Sequence, residues 1–246
     1  MIEKVTDCPE IWKIIVDLPG NALKNLNSYV IKTEKANMVI ATGFNRPECR
    51  KALWDGISEL QLDMDKTVLF LTHLHSDHTG LVEDFVNHGC KLYMGKVDYD
   101  MNRQFLNDDF REKLLNYYVS EGMPRDVMMR QTTHNQGAKY MSRCDFKAHE
   151  VEDGEIIWLD PLKLQCIATP GHTPGHMMLY IPEAEILFTG DHVLFDITPN
   201  ITVWEEAPDG QKWFAMGETV AHLDYLMFQG KVVKTKVNGV SRYRLV

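Results

Sequence analysis

Three histidines and an aspartate fall within seven residues, Thr72-His73-Leu74-His75-Ser76-Asp77-His78, immediately after the apolar run Val68-Leu69-Phe70-Leu71. Imidazoles and carboxylates are costly to bury without partners, and a divalent cation supplies one. A lone histidine is usually structural, whereas ligand types at positions i, i+2, i+4 and i+5 of one loop point to metal binding. Two later stretches carry the same chemistry. Thr169-Pro170-Gly171-His172-Thr173-Pro174-Gly175-His176 is a stiff loop that presents His172, and Thr189-Gly190-Asp191-His192 closes a strand on a carboxylate. His176 and His192, beside candidate ligands, are expected to hydrogen-bond around the site rather than coordinate. His88, His134, His149 and His222 receive no role. Ser76 lies between ligand candidates and lacks a Gly-x-Ser-x-Gly setting, so a serine nucleophile is disfavoured.

These loops need elements to position them. Ile11 to Leu18, Ser28 to Thr33 and Met38 to Ala41 read as strands, and Pro47 to Leu60 as a helix with proline in its first turn. Thr67 to Leu71 is then a short buried strand delivering the histidines, Gly80 to His88 a helix, and Lys91 to Met94 a strand. Asp108 to Glu121 reads as an amphipathic helix inside a methionine-rich, weakly periodic stretch of about residues 96 to 149. That stretch is taken as an insertion able to wall a pocket, with Met123, Met128, Met129 and Met141 as packing residues. Strands return at Glu155 to Leu159, Leu162 to Ala168, Met177 to Ile181 and Ile186 to Thr189. A helix from Gln211 to Gln229 precedes two strands, Val232 to Val237 and Val240 to Leu245, joined by the hairpin pair Asn238-Gly239. Alternation of strands and helices indicates a layered α/β core.

The 246 residues suffice for one large domain with a small appendage, divided here into 1–204 and 205–246. A net charge of −9 argues against an open nucleic-acid surface, although residues 231–246 hold five cations and no acid. Five scattered cysteines without a C-x-x-C pair suggest neither a disulfide framework nor a cysteine zinc knot. No stretch reaches the length of a membrane span and no export signal is apparent, so a cytoplasmic location is expected.

The Thr-His-Leu-His-Ser-Asp-His run, then His172 in a Pro-Gly-His loop, then Asp191 in Thr-Gly-Asp, resemble in type and order the metallo-β-lactamase superfamily. By type they are closest to its hydroxyacylglutathione hydrolase-like and related thioesterase branches. The resemblance covers about residues 11 to 200 and implies an αββα sandwich, two sheets face to face with helices outside and metals at one edge. It implies two divalent metal ions, with zinc expected and iron or manganese as alternatives. His73, His75 and His172 would hold the first ion, Asp77 and His78 the second, and Asp191 both. The implied function is hydrolysis of a small thioester, ester or lactone by a metal-bound hydroxide that Asp77 orients. Two dications and two aspartates leave about +2, so an anionic small-molecule substrate is expected. A secreted antibiotic-degrading role is disfavoured by the absent export signal.

Two departures stand out. The family's additional histidine on the second metal, from a late Gly-His turn, has no counterpart after Asp191. A segment near Val203 to Gln211 is therefore read as missing, the second site as open to partial occupancy, and His222 as a remote substitute ligand. Ala41 also stands where the family's strand commonly ends in aspartate, which should loosen support of the histidine loop. The terminal helix and hairpin resemble half of a winged helix. They allow an alternative of a different class, a metal-stabilised regulatory or binding module, or else a dimer contact or lid.

Overall fold

The computed structural model describes residues 1–21, 24–134, 136–193 and 209–246. The chain opens with β1 (Ile2–Asp7), β2 (Glu10–Asp17), β3 (Asn25–Lys32) and β4 (Asn37–Ile40), then α1 (Pro47–Glu59) and β5 (Thr67–Leu71). After the histidine loop come α2 (Ser76–Thr79), α3 (Val82–Asn87), β6 (Lys91–Gly95) and α4 (Lys96–Gln104). Helices α5 (Asp108–Ser120), α6 (Arg125–His134) and α7 (Gln136–Lys139) follow, then β7 (His149–Val151). The second half contains β8 (Ile156–Leu159), β9 (Leu162–Ala168), β10 (Met177–Ile181), β11 (Ile186–Phe188), α8 (Asp209–Phe228), β12 (Val232–Val237) and β13 (Val240–Leu245).

Strands β1 to β7 form one sheet in chain order, antiparallel as far as β4 and parallel from β4 to β7. A smaller antiparallel sheet runs β11-β10-β9-β8. Period-two alternation explains the layering. On β4, β5 and β6, Met38, Ile40, Phe70 and Tyr93 pack with Leu164, Cys166, Leu179 and Phe188 of the smaller sheet. Val39, Leu69, Leu71 and Met94 face the other way, into a core with Cys49, Leu53 and Ile57 of α1 and Phe85 of α3. Buried on both faces, these strands read as continuous apolar runs, as parallel strands do. The expected sandwich of two sheets with outer helices is therefore present. On the outer face of the smaller sheet Trp158 remains 65% exposed and Leu187 43%.

Most expected elements appear within a residue or two, but the stretch after β6 differs. Its weak apolar periodicity conceals regular helices: α4 continues β6 directly and buries Asp98, Tyr99 and Asn102. Met123 and Met128 are packing residues, buried with Leu115 and Val127, whereas Met129 is exposed. Strand β1 is an addition to the expected elements. Its alternation is weak because it is an edge strand, half-buried at two positions and exposed at the rest. The cysteines are all free; Cys49 and Cys166 are buried, while Cys8 is exposed. The expected boundary at 204/205 and the proposed missing segment lie outside the described residues, save for its last three positions, which begin α8.

The terminal hairpin turns through Asn238 (φ 52°) and Gly239 (φ 80°), the left-handed pair of a two-residue type I′ loop. It is anchored to the end of α5. Glu121, its side chain 2% exposed, is 2.7 Å from Lys234 Nζ and accepts hydrogen bonds from Ser241 Oγ at 2.9 Å and Tyr243 OH at 2.6 Å. Burial works against the Glu121 carboxylate, but Lys234, Tyr243 and Ser241 outweigh it and hold its pKa below the ordinary value. A carboxyl with a depressed folded pKa contributes stability above its unfolded value of about 4.3 and loses it as pH falls through the folded one. Replacing Glu121 with alanine strands its partners and is expected to cost about 1–3 kcal/mol at pH 7. Urea unfolding at pH 7 and near pH 3.5 checks this: the Glu121→Ala deficit should shrink in acid.

Candidate metal centre

The site lies where the parallel strands end, at the edge shared by both sheets. Strand β5 stops at Leu71 and releases the histidine loop, and Met177 N at the start of β10 donates to Thr72 O at 2.8 Å, joining the two sheets at that point. Thr72 Oγ1 lies 3.1 Å from His73 Nδ1 and 3.4 Å from His78 Nδ1. One hydroxyl thus engages the outer nitrogen of two rings and leaves both Nε2 atoms turned inward.

Three bends of the chain converge there. His73 Nε2 and His75 Nδ1 are 3.0 Å apart, and His172 Nε2 is 2.9 Å from that same His75 nitrogen. A second group joins His73, His78 and Asp191, and in each group the candidate ligand atoms lie within 4.8 Å of one another. Asp191 spans both: Oδ1 is 3.1 Å from His78 Nε2, and Oδ2 is 3.6 Å from His172 Nε2. His73 and His78 are buried, and the side chains of His172 and Asp191 are 13% and 12% exposed. Asp77 stands slightly apart, in neither group, with Oδ2 3.9 Å from His78 Nε2.

The protonation tendencies of His73, His75 and Asp191 suit ligands. Burial first, then the neighbouring imidazoles, push His73 and His75 well below the ordinary histidine value, so both are neutral donors near pH 7. Burial opposes ionisation of Asp191, but His78 and then His172 and His75 keep it ionised, far below the usual carboxylate range. His78 Nε2 is buried and, despite its 3.1 Å approach to Asp191, not aligned as a hydrogen bond. Ring nitrogens this close cannot all be satisfied by the protons neutral imidazoles carry, and a cation between them resolves the conflict. The donor set therefore fits a metal in both groups.

The remaining predicted residues separate. His176 is buried, with Nδ1 2.8 Å from Thr169 Oγ1, and burial followed by His172 lowers it to about 3. His192 is exposed, its ring 5.8 Å from that of His176. His222 reaches the site's margin: its Nε2 is 2.9 Å from where a Cβ on Gly171 would stand, and it belongs to neither group of the described residues. His88 stacks near Trp54 and His149 pairs with Glu155. The Ser76 hydroxyl is committed to Gly137 O at 2.6 Å.

Asp98 went unrecognised in the sequence. Fully buried on α4, it accepts from Leu74 N (2.9 Å) in the first ligand loop and from Thr173 Oγ1 (2.6 Å) and Gly175 N (2.7 Å) in the second. Burial pushes its carboxyl up to about 6 despite those three donors. The approach demands glycine opposite, since a Cβ on Gly175 would lie 2.3 Å from Asp98 N. Ala41, the position where a supporting aspartate was expected, is buried with φ 64° and donates its N–H to Phe70 O. The far end of the loop is instead held by Thr42, whose N and Oγ1 both donate to His78 O. The only advance signal for Asp98 was an acidic residue three positions past an apolar strand.

With this geometry in place, comparison with known proteins is direct. The family described as the metallo-beta-lactamase superfamily matches residues 23–226. The chain belongs to that superfamily. Residues 209–246 match a second family, the metallo-beta-lactamase-like C-terminal domain. Among curated relatives, the lactamase-like protein aptB of Emericella nidulans is 26% identical over 194 residues, 77% of this chain and 48% of that protein. The atrochrysone carboxyl ACP thioesterase of Aspergillus chevalieri is 22% identical over 197 residues, 78% of this chain and 48% of its own. The chain thus spans about half the length of these relatives. A metallo-beta-lactamase family protein from Thermus thermophilus superposes with TM-score 0.70 at 20% identity, covering 96% of this chain and 98% of that one. A beta-lactamase domain protein from Burkholderia ambifaria gives 0.69 at 15%, covering 100% and 94%.

Since Asp98 ties the two ligand loops of this superfamily member together, Asp98→Asn is expected to weaken metal retention about tenfold or more. Metal transfer to a chromogenic chelator, measured on protein whose circular dichroism matches wild type, checks it.

Proposed function

We propose that this chain is a metal-dependent hydrolase of a thioester, ester or lactone, with thioesters foremost. His73, His75 and His172 would hold one divalent ion and His78, Asp77 and Asp191 a second, with Asp191 between them. The observation that carries the reading is the convergence of ligand nitrogens from separate bends onto two groups joined by both oxygens of one carboxylate. The thioesterase named among the relatives supports the choice of substrate class. The hydroxyacylglutathione hydrolase-like branch suggested by the motif is one form this activity could take.

A bound dication would polarise the substrate carbonyl and make water nucleophilic near neutral pH. The chain's own contributions are separate. Thr72 fixes the ring orientation of His73 and His78, and Asp98 keeps the two ligand loops at one spacing. Asp77, 3.9 Å from His78 Nε2, would orient the attacking water and take its proton. In hydrolysis the water oxygen bonds to the acyl carbon and the carbon–sulfur bond breaks. The thiolate leaves with the electron pair and is protonated, and the acid departs as carboxylate.

The C-terminal unit, residues 209–246, serves as a wall of this site in our reading. Its helix α8 contributes Gly217, Val220 and Ala221 to a cleft that opens onto His75 and His172. Lys234 of the hairpin is engaged by Glu121 rather than offered to a phosphate, which favours this role over nucleic-acid binding. No helix among the described residues is long and apolar enough to cross a membrane.

Elemental analysis of protein purified without chelator is expected to give between one and two equivalents of zinc, iron or manganese. His75→Ala should abolish both metal retention and thioester turnover. Full activity in metal-stripped protein would overturn the proposal.

A further inference from the structure

The space beside the metal-capable groups is unusually apolar for a site built around cations. A cleft of about 310 Å3 opens onto His75 and His172. Met101 of α4 and Phe105 just past its end form one side, and Leu114, Tyr117 and Tyr118 of α5 another. The third is α8, which presents Gly217, Val220 and Ala221. An apolar cavity of about 150 Å3 holds one benzene ring, so this volume suits roughly two fused rings.

Two features narrow the occupant. The first is charge. Among the described residues lining the cleft none is Lys or Arg, and the one carboxylate, Asp224, accepts a hydrogen bond from Tyr117 OH at 3.3 Å. Burial pushes both Tyr117 and Tyr118 up to about 12, so these phenols are neutral and offer no counter-charge. A second carboxylate placed here would meet Asp224, and Lys234, whose Nζ lies 5.1 Å from the Tyr117 ring centroid, is already paired with Glu121. The second feature is space. Glycine inside a helix costs about 0.5–1 kcal/mol relative to alanine, yet Gly217 interrupts α8 where it faces α5. A Cβ there would stand in ordinary contact, 3.5 Å from Tyr118 OH, so a longer or branched side chain would narrow the cleft on that side.

We propose that this cleft receives the acyl group of the substrate and selects one that is bulky and uncharged, with Gly217 keeping the α8 side of the cleft open. This rests on the hydrolase reading for the word acyl, but not for the shape and charge of the occupant. It also revises the expectation of an anionic substrate. The positive charge of a metal centre would act on the reacting carbonyl oxygen, while the part of the substrate beyond it meets rings and a carboxylate.

The test uses metal-loaded protein and three thioesters of one leaving group, N-acetylcysteamine, carrying acetyl, glutaryl and 2-naphthylacetyl groups. The naphthylacetyl compound is expected to exceed the glutaryl one in kcat/KM by about tenfold or more. Gly217→Val should lower the naphthylacetyl-to-acetyl ratio by a similar factor, and Asp224→Asn should narrow the discrimination against glutaryl. Ala221→Leu serves if Gly217→Val does not fold. Calorimetric binding of the non-hydrolysable naphthyl thioether analogue to wild type and Gly217→Val separates the two ideas. If no thioester is cleaved but the analogue binds wild type and not Gly217→Val, the hydrolase reading fails and the cleft assignment holds. Equal or preferred turnover of glutaryl, or an unchanged ratio in folded Gly217→Val and Ala221→Leu, overturns the cleft assignment and leaves the hydrolase reading standing. Neither cleavage nor analogue binding overturns both.

Discussion

Imidazole nitrogens at 2.9 to 3.0 Å from one another, with an ionised carboxylate reaching across them, define a hole that protein atoms alone cannot satisfy. Each neutral ring has one proton to give, and hydroxyls already engage the outer nitrogens of His73 and His78, through Thr72, and Nδ1 of His176, through Thr169. What remains is a cluster of lone pairs facing inward. Lone pairs so close together repel one another, and a divalent cation among them would relieve that repulsion. Much of the surrounding structure can be understood as whatever keeps those lone pairs aimed at one place.

That aim depends on the junction of two sheets. The histidine loop belongs to the larger sheet, and the Pro-Gly-His loop and Asp191 belong to the smaller. The core between them, from Phe70 and Tyr93 across to Leu179 and Phe188, sets how far apart the two stand. Apolar packing fixes such a spacing without directing it atom by atom. Direction comes from the polar ties at the edge: Met177 N to Thr72 O, Thr42 to His78 O, and Asp98 holding both loops at once. With alanine at position 41, the loop is braced by Thr42 at His78 O and by Asp98 of α4 at Leu74 N. The buried Asp98 is tolerated because three donors meet it.

The candidate ligands were legible because their chemistry leaves few alternatives: His, His, Asp and His within six positions after a buried strand have no common packing role. The strands were legible because Met38 to Ile40 and Val68 to Leu71 are apolar on both faces. What escaped notice did so for identifiable reasons. Asp98 looks like any acidic residue in a polar stretch, since its partners are backbone N–H groups and a threonine about 24 and 75 residues distant. The helix containing it buries Asp98, Tyr99 and Asn102, so the apolar periodicity that marks helices is missing. Strand β1 is an edge with no apolar face to announce it. Asp77 stands between these cases: the motif sets it among the candidate ligands, and its carboxylate lies beside the second group, 3.9 Å from His78 Nε2, without belonging to it.

The terminal helix and hairpin, which by sequence suggested a separate module, are better understood through what they touch. Helix α5 supplies Tyr117 and Tyr118 to the cleft, and its last turn leads to Glu121, the acceptor for Ser241, Tyr243 and Lys234 of the hairpin. Helix α8 faces the same cleft and is tied to α5 through Tyr117 and Asp224. The C-terminal unit and the helices after β6 therefore form one wall, assembled from segments more than a hundred residues apart. Such an arrangement divides the work. The sheet edge, rigid and polar, carries groups that must be aimed within fractions of an ångström. The helical wall, apolar and built from Met, Phe and Tyr, determines what may lie against them. A change in α8 or the hairpin can then alter which molecule is admitted while the ligand geometry stays as the two sheets set it, which is how one fold comes to serve many substrates.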